Sequence, residues 1–250
     1  MKNIIDIKYE IDVEDLFERI DANTFFDEFE IKRDFVGLKS EIEKYNIFIN
    51  KLEKTFEIID DGRQRYSRDF FLDNSKKNVY KVWWEINKAK EVIKENNINV
   101  YQFDINELIG QVDRKVFEES KPNIVSREPI IIAFYDPCNM DVIIDGNHRV
   151  SAAYKRNEKT INAYFMEPQF HMQAMLEKSF VDMYKIHHNL VVILNYMAGN
   201  IDKVIYKDDG MQNSLYKIIN KNNNIIEKIT NLIHKKQDIT NMLLNKMNNI

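Results

Sequence analysis

The sequence predicts an α+β fold in which a small mixed sheet lies between two helical regions. Helical periodicity fills most of residues 1–97 and 169–250, whereas residues 98–168 contain short β-branched runs separated by turn signals. Only 6 Gly and 4 Pro occur in 250 residues, which favours helices over tight turns. We therefore expect a helical N-terminal region (1–97), a small α+β domain (98–168) and a helical C-terminal region (169–250).

Three apolar stripes predict helices in the N-terminal region. Spacings of three and four residues run from Val13 to Ile20, from Leu38 to Ile59 and from about residue 75 to 96. A polar stretch separates the second stripe from the third. It contains three arginines, which we interpret as solvated rather than as contacts to nucleic acid: Arg63, Arg65 and Arg68.

The middle region alternates strands and helices. VYQFDI predicts a strand and NELIGQVDRKVFEES a short helical segment, and PIIIAFY and MDVIID predict two strands joined by the turn DPCN. GNHRVSAAYKRNEK then fits a helix, and TINAYFM fits a last strand. This order predicts one small sheet with its helices returning the chain to it.

The C-terminal region is predicted to be helical, with a long apolar run from Leu190 to Met197 and an apolar repeat from Ser214 to Ile250. We interpret the repeat as a helix packed on the core. Its spacing also suits a coiled coil, which would make a homodimer through the C-terminal helices.

Charge and composition limit the classes of partner. The formal net charge is −4, from 36 basic and 40 acidic side chains, so DNA binding is not favoured and would need a local basic patch. No apolar run approaches the roughly 20 residues that span a bilayer, and the N-terminus turns acidic early, so we expect no membrane contact and a cytoplasmic protein. Cys138 is the only cysteine, which excludes an intramolecular disulfide.

The segment VIIDGNHRVSAAYKRN carries the chemistry. A strand ends at Asp145, Gly146 permits a sharp turn, and a helix follows, so unpaired backbone N–H groups are expected at an anion-binding helix start. Asn147 is a neutral donor and acceptor, and His148 suits phosphate bonding or proton transfer. Arg149 offers a planar fork of donors for phosphate. Asp145 is able to cap the helix, orient His148 or hold a metal ion on phosphate. A plain Asp-Gly turn is the structural alternative.

With the strands around it, the DGNHR turn resembles the ParB/sulfiredoxin superfamily over about residues 98–167. The resemblance implies that Gly146, Asn147, His148 and Arg149 bind nucleotide phosphates. It also implies a nucleoside triphosphate with Mg²⁺ as ligand, catalytic roles for Asp145 and His148, and metal binding by Asp145. The function expected from it is an NTP hydrolase or phosphotransferase. The alternative is a nucleotide-responsive module that binds DNA or protein without catalysis.

Within that superfamily the motif differs from two well-defined groups. Sulfiredoxins have a catalytic cysteine where this chain has Asn147, and the ParB segregation proteins have two adjacent arginines and a second nucleotide motif that is missing after residue 166. The DGHHR turn of the free-serine kinases is similar to DGNHR. Those kinases also use an upstream glutamate, for which this chain offers three candidates: Glu107, Glu118 and Glu119.

Other candidates are weaker. Arg127 precedes the core strand and could reach the same pocket, or lie on the surface, and Asp113 and Arg114 are further candidates to line it. The adjacent pair His187-His188 does not match the i,i+4 geometry of a helical metal pair. His171 and His234 stand alone, and we expect them to be structural or exposed.

Overall fold

The computed structural model describes residues 2–6, 9–10, 13, 30–52, 55–59, 61–72, 78–123, 126–207, 209–211 and 213–218. The described residues from Lys2 to Tyr216 form one compact unit. The boundaries predicted near 98 and 168 both fall within this unit. No helix among the described residues is both long and apolar enough to span a membrane.

The described residues combine helices with several sheets, which confirms the α+β class. The strands are β1 (Lys2–Asp6), β2 (Tyr9–Glu10), β3 (Thr55–Ile59), β4 (Arg65–Phe71), β5 (Val79–Glu85), β6 (Val100–Asp104), β7 (Ile130–Tyr135), β8 (Met140–Asp145), β9 (Thr160–Met166), β10 (Ile205–Tyr206) and β11 (Ser214–Leu215). The helices are α1 (Leu38–Ile49), α2 (Ile86–Glu95), α3 (Ile105–Ile109), α4 (Arg114–Glu119), α5 (Asn147–Lys155), α6 (Pro168–His171) and α7 (Lys178–Met197).

The middle region forms a four-stranded mixed sheet with the order β6-β9-β7-β8. Strands β6 and β9 are antiparallel, β9 and β7 parallel, and β7 and β8 antiparallel. Every strand predicted between residues 98 and 168 is present, and the DPCN turn contains a short 3₁₀ helix at Asp136–Cys138. The predicted mixed sheet is thus confirmed.

One face of this sheet packs against α3 and α5. Its core consists of the following side chains, all at most 1% exposed: Ile105, Leu108, Ile130, Ile132, Ile143, Val150, Ala153 and Ala163. The alanines of α5, Ala152 and Ala153, are both buried, and Ala153 belongs to this core. Since α5 follows β8 directly, this packing fixes where the helix begins.

The prediction of an all-helical N-terminal region is wrong. Strands β4 and β5 pair antiparallel between residues 65 and 85, and β3 pairs with β1. In β5 burial alternates, with Tyr80, Val82 and Trp84 fully buried and their neighbours half-exposed. The helix predicted from about residue 75 begins only at Ile86.

A cluster of seven rings, here named the aromatic cluster, joins β4 and β5 to the mixed sheet and to α7. Its members are Phe70, Tyr80, Trp84, Tyr135, His171, Tyr184 and His187. The Tyr135 ring stacks on Phe70 with 3.6 Å between centroids and meets Tyr184 edge-on at 5.0 Å. The hydroxyls of Tyr135 and Tyr80 are hydrogen-bonded to each other. The cluster therefore links the N-terminal strands to the sheet that carries the DGNHR turn.

The C-terminal helix predicted around Leu190–Met197 is confirmed as part of α7. Most of the apolar repeat from Ser214 to Ile250 lies outside the described residues, as does His234. The homodimer predicted through this tail therefore stays a prediction.

Candidate functional site

The turn at Gly146 connects β8 directly to α5. Gly146 has φ of 103°, a left-handed backbone conformation that residues other than glycine rarely adopt. A Cβ at this position would lie 2.8 Å from the Cβ of Ile130 and closer still to its Cγ2. Conformation and space both therefore require glycine here, so the expectation of a glycine-dependent turn agrees with the geometry.

The helix start leaves backbone donors unused. The N–H groups of Arg149 and Val150 both donate to Gly146 O, at 2.8 and 3.0 Å. The N–H groups of Asn147 and His148, the first two of the helix, have no partner within it. They lie at the positive end of the helix dipole, which suits an anion.

The Asn147 side chain holds the turn from inside. Its Nδ2 donates to Ile143 O at 2.9 Å, which ties the first residue of α5 back to β8. Asn147 was predicted to lie beside a phosphate as a donor and acceptor. Its donor group is instead used to fix the geometry of the turn.

Arg149 is bound on three sides by the protein itself. Its Nη1 donates to the backbone oxygens of Glu128 and Pro129, at 2.6 and 3.0 Å. Its Nη2 donates to Asp145 Oδ2 at 2.9 Å, and only 13% of the side chain is exposed. The guanidinium therefore clamps the segment before β7 to the turn. This geometry differs from the predicted free fork aimed at phosphate.

A cavity of about 490 Å³ opens beside this clamp. Its walls come from α2 and the segment after it, from the start of β7 and the residues just before it, and from β9. The lining residues are Lys90, Ile93, Lys94, Asn97, Ile98, Glu128, Pro129, Ile131 and Tyr164. The Nζ of Lys90 lies 3.9 Å from Asp145 Oδ2, and half of the side chain is exposed. Lys90 thus brings positive charge to the turn, and Lys94 brings it to the cavity. Sequence reasoning missed both because they belong to no motif.

His148 is exposed at the second position of α5. Its Nδ1 lies 2.8 Å from Ser120 Oγ, and that hydroxyl donates to Val116 O at 2.6 Å. The Nε2 of His148 has no hydrogen-bond partner among the described residues. Ser120 is 3% exposed and lies in the segment EESKPN, which carries no signal of a role beside the turn.

The surroundings of Asp145 do not fit a metal site. Its carboxylate already faces Arg149 and Lys90, and two cations disfavour a third positive charge nearby. Within the described part of the chain, no group of three or more His, Cys, Asp or Glu side chains is placed to hold a metal ion. Asp145 instead orients the Arg149 clamp, and no chemistry is assigned to Mg²⁺ on this carboxylate.

The other predicted candidates make different contacts or lie exposed. Asp113 caps α4 by accepting from the N–H of Lys115 at 2.8 Å, and Arg114 pairs with Glu118 at 2.8 Å on the same helix. Glu119 lies 3.9 Å from Lys115. The remaining two, Arg127 and Glu107, are exposed. Among the described residues, none of the three glutamates is hydrogen-bonded to the DGNHR residues.

The remaining histidines of the described chain are buried. Burial lowers the pKa of His171 to about 4, and burial together with the neighbouring His188 lowers the pKa of His187 to about 3. The Nδ1 of His187 bonds to the Tyr80 hydroxyl at 2.8 Å, and His188 contacts Asp136 Oδ2 at 2.7 Å. The two histidines of the pair therefore contact different partners, Tyr80 and Asp136.

Comparison with known proteins adds no relative. No family model matches the chain, and no curated protein or solved structure is significantly similar to it.

Proposed function

We propose that the DGNHR turn and the adjacent cavity bind a nucleotide, with its phosphates at the start of α5. One observation carries the proposal: a left-handed Gly146 is followed at once by a helix whose first two N–H groups have no intrahelical partner. Oriented N–H groups at a helix start form an anion site without any side chain. The ParB/sulfiredoxin-like arrangement, with its phosphate-binding turn between strand and helix, is part of the same proposal.

The cavity supplies what a nucleotide needs beyond its phosphates. Its volume of about 490 Å³ lies within the range of small-molecule sites, roughly 300–1,000 Å³. Ile93, Ile98 and Tyr164 give it apolar walls suited to a base, and Lys90 and Lys94 give it charge suited to phosphate. We assign the charge contact to Lys90 rather than Arg149, because Arg149 donates to three protein oxygens.

The reaction we propose is hydrolysis or transfer of a phosphoryl group, with His148 as the proton acceptor. The side chain is exposed, and its Nε2 is unused within the described residues. Asp145 contributes indirectly by holding Arg149 and Lys90. In the alternative proposal the protein binds the nucleotide without reacting it. The bound nucleotide then changes the affinity of the protein for a DNA or protein partner.

Calorimetry tests the binding proposal. We expect one of ATP, CTP and GTP, or its diphosphate, to bind the native chain with micromolar affinity, with and without Mg²⁺ as separate arms. The double variant Lys90→Gln/Lys94→Gln should weaken that binding at least tenfold, since charged contacts contribute about 1.5–3 kcal/mol each. Lys88→Gln, an exposed lysine of the same helix that does not line the cavity, is the matched control.

The outcomes separate the two proposed functions. Release of phosphate from the bound nucleotide, lost in His148→Ala, supports the enzyme. Binding without turnover, together with a partner affinity that changes with nucleotide, supports the module. A folded native chain that binds none of the nucleotides would remove both.

A further inference from the structure

We propose that Ser120 is a positioning residue for His148, and that it fixes the imidazole as the Nδ1–H tautomer with a free lone pair on Nε2. The inference rests on the proposed function for its chemical purpose. Its structural content, the tautomer, stands without any nucleotide. Neither residue type nor spacing in the sequence links these two positions, which are 28 residues apart.

The direction of each hydrogen bond follows from counting protons. A serine hydroxyl has one proton, and Ser120 Oγ lies 2.6 Å from Val116 O, a carbonyl that only accepts. The hydroxyl proton therefore goes to Val116. At 2.8 Å from His148 Nδ1, the same Oγ is left to accept, so Nδ1 must carry a proton. In the neutral ring, Nε2 is then the acceptor.

The serine is held rigidly, so the ring it binds is held as well. Ser120 follows the last residue of α4, and its backbone N–H donates to Val116 O at 3.0 Å. Lys155, at the end of α5, donates from Nζ to Ser120 O at 2.7 Å and to Phe117 O at 2.5 Å. Both ends of α5 therefore contact the segment from Phe117 to Ser120, the first end through His148 and the last through Lys155.

This arrangement gives His148 a definite role in phosphoryl transfer to water. The oxygen of a water molecule attacks the terminal phosphorus, and a proton of that water passes to the lone pair on Nε2. The bond between phosphorus and the bridging oxygen breaks, and the nucleoside diphosphate leaves with the electron pair. The positive charge gained by the ring is shared along the Nδ1–H···Oγ–H···O chain, in which every donor already has its acceptor.

The tautomer is measured directly by ¹⁵N NMR of the histidine rings in the native chain without nucleotide. The spectrum of His148→Gln identifies the signals of His148 among the 5 histidines. In the native chain we expect Nδ1 to have the shift of a protonated nitrogen and Nε2 that of a bare one. Ser120→Ala should move the ring to a mixture dominated by Nε2–H, the form that a free imidazole side chain prefers.

Two further variants separate positioning from general damage to the fold. Ser120→Thr keeps the hydroxyl and should restore the native tautomer. Ser151→Ala is the matched control, because Ser151 is also buried and also donates to the carbonyl four residues earlier, at 2.9 Å, but does not contact His148. It should leave the His148 signals unchanged. A native chain with Nε2–H, or a Ser120→Ala spectrum identical to the native one, would overturn the inference.

A kinetic measurement connects the tautomer to function. With the nucleotide found by calorimetry, Ser120→Ala should lower kcat about tenfold or more and leave KM within about twofold, since the loss concerns the transition state alone. If Ser120→Ala changes the tautomer of His148 but leaves kcat unchanged, the tautomer has no role in catalysis. Absence of any nucleotide binding would count against the proposed function instead and leave the NMR result as it stands.

Discussion

The DGNHR turn and the aromatic cluster use histidine in opposite ways. In the aromatic cluster, His171 and His187 are fully buried, and their pKa values are lowered to about 4 and about 3 because burial disfavours the charged ring. At the turn, His148 is exposed and held at one nitrogen, with the other unused in the described residues. The lowered pKa values of His171 and His187 therefore result from packing, and the candidate chemistry at His148 rests on a ring held at one nitrogen.

The two regions also differ in how they are held. The aromatic cluster depends on stacked and edge-on rings and on their removal from water. The turn depends on hydrogen bonds from side chains to backbone oxygens, through Asn147 and Arg149. We therefore expect stability at the aromatic cluster to fall when side-chain volume is removed. At the turn, stability should fall when a hydrogen-bond donor or the glycine is replaced.

The largest expected effect is in the aromatic cluster. Trp84→Ala removes a fully buried indole, and we expect the free energy of unfolding to fall by about 3–5 kcal/mol. Trp83→Ala, at the half-exposed neighbouring position, should cost clearly less. Urea denaturation measures both. Similar losses in the two variants would mean that the cluster does not hold β5 as described.

At the turn, Gly146→Ala should be the most damaging single change. The left-handed φ costs about 1–2 kcal/mol for any other residue, and the clash with Ile130 adds about 1–3 kcal/mol of overpacking. Gly110→Ala is the control, because a Cβ there meets nothing within 4 Å and the backbone is right-handed. A Gly146→Ala chain as stable as the Gly110→Ala chain would contradict the geometry of the turn.

Arg149→Lys tests whether the arginine is a clamp. Lysine keeps the charge but cannot reach three oxygens in fixed directions, so we expect a loss of about 1–3 kcal/mol in unfolding free energy even without nucleotide. Arg114→Lys, on an exposed ion pair, should stay within about 0.5 kcal/mol of the native chain. If Arg149→Lys leaves stability unchanged and weakens only nucleotide binding, Arg149 contacts phosphate as the sequence predicted.

Acid should weaken the aromatic cluster through its histidines. Because the folded pKa of His171 is about 4 against an ordinary 6.5, the unfolded chain takes up a proton below pH 6.5 that the folded chain does not. Stability is therefore lost as the pH falls from 6.5 towards 4, at about 1.4 kcal/mol per pH unit for this histidine. Urea denaturation from pH 7 to 4 should give a smaller slope for His171→Gln.

The sequence predicted the mixed sheet well and the N-terminal strands badly, for a physical reason. In the middle region, turn residues separate apolar runs too short for helices, and each predicted strand is present. Across β5 and the first residue of α2, Val79, Val82 and Ile86 have helical spacing, but burial in β5 alternates instead. A strand that pairs on both sides and ends in an amphipathic helix shows both periods at once, and only its pairing with β4 decides between them.

The sequence predicts the DGNHR segment of the candidate site but not the residues that other elements bring to it. Strand, glycine and helix start are local features, so residues 145–149 were found from their order alone. Ser120 and Lys90 come from other elements, and their approach to His148 and Asp145 depends on the packing of α4 and α2. The Arg149 clamp was missed because its acceptors are backbone oxygens, which no residue type reveals.

The most direct test of the central claim is amide ¹H–¹⁵N NMR during titration with the nucleotide that calorimetry selects. We expect the largest, saturating shifts at the N–H groups of Asn147 and His148, accompanied by shifts along the cavity at Lys90 and Tyr164. Saturable shifts confined to other parts of the chain, or none at millimolar nucleotide, would contradict a phosphate site at the start of α5.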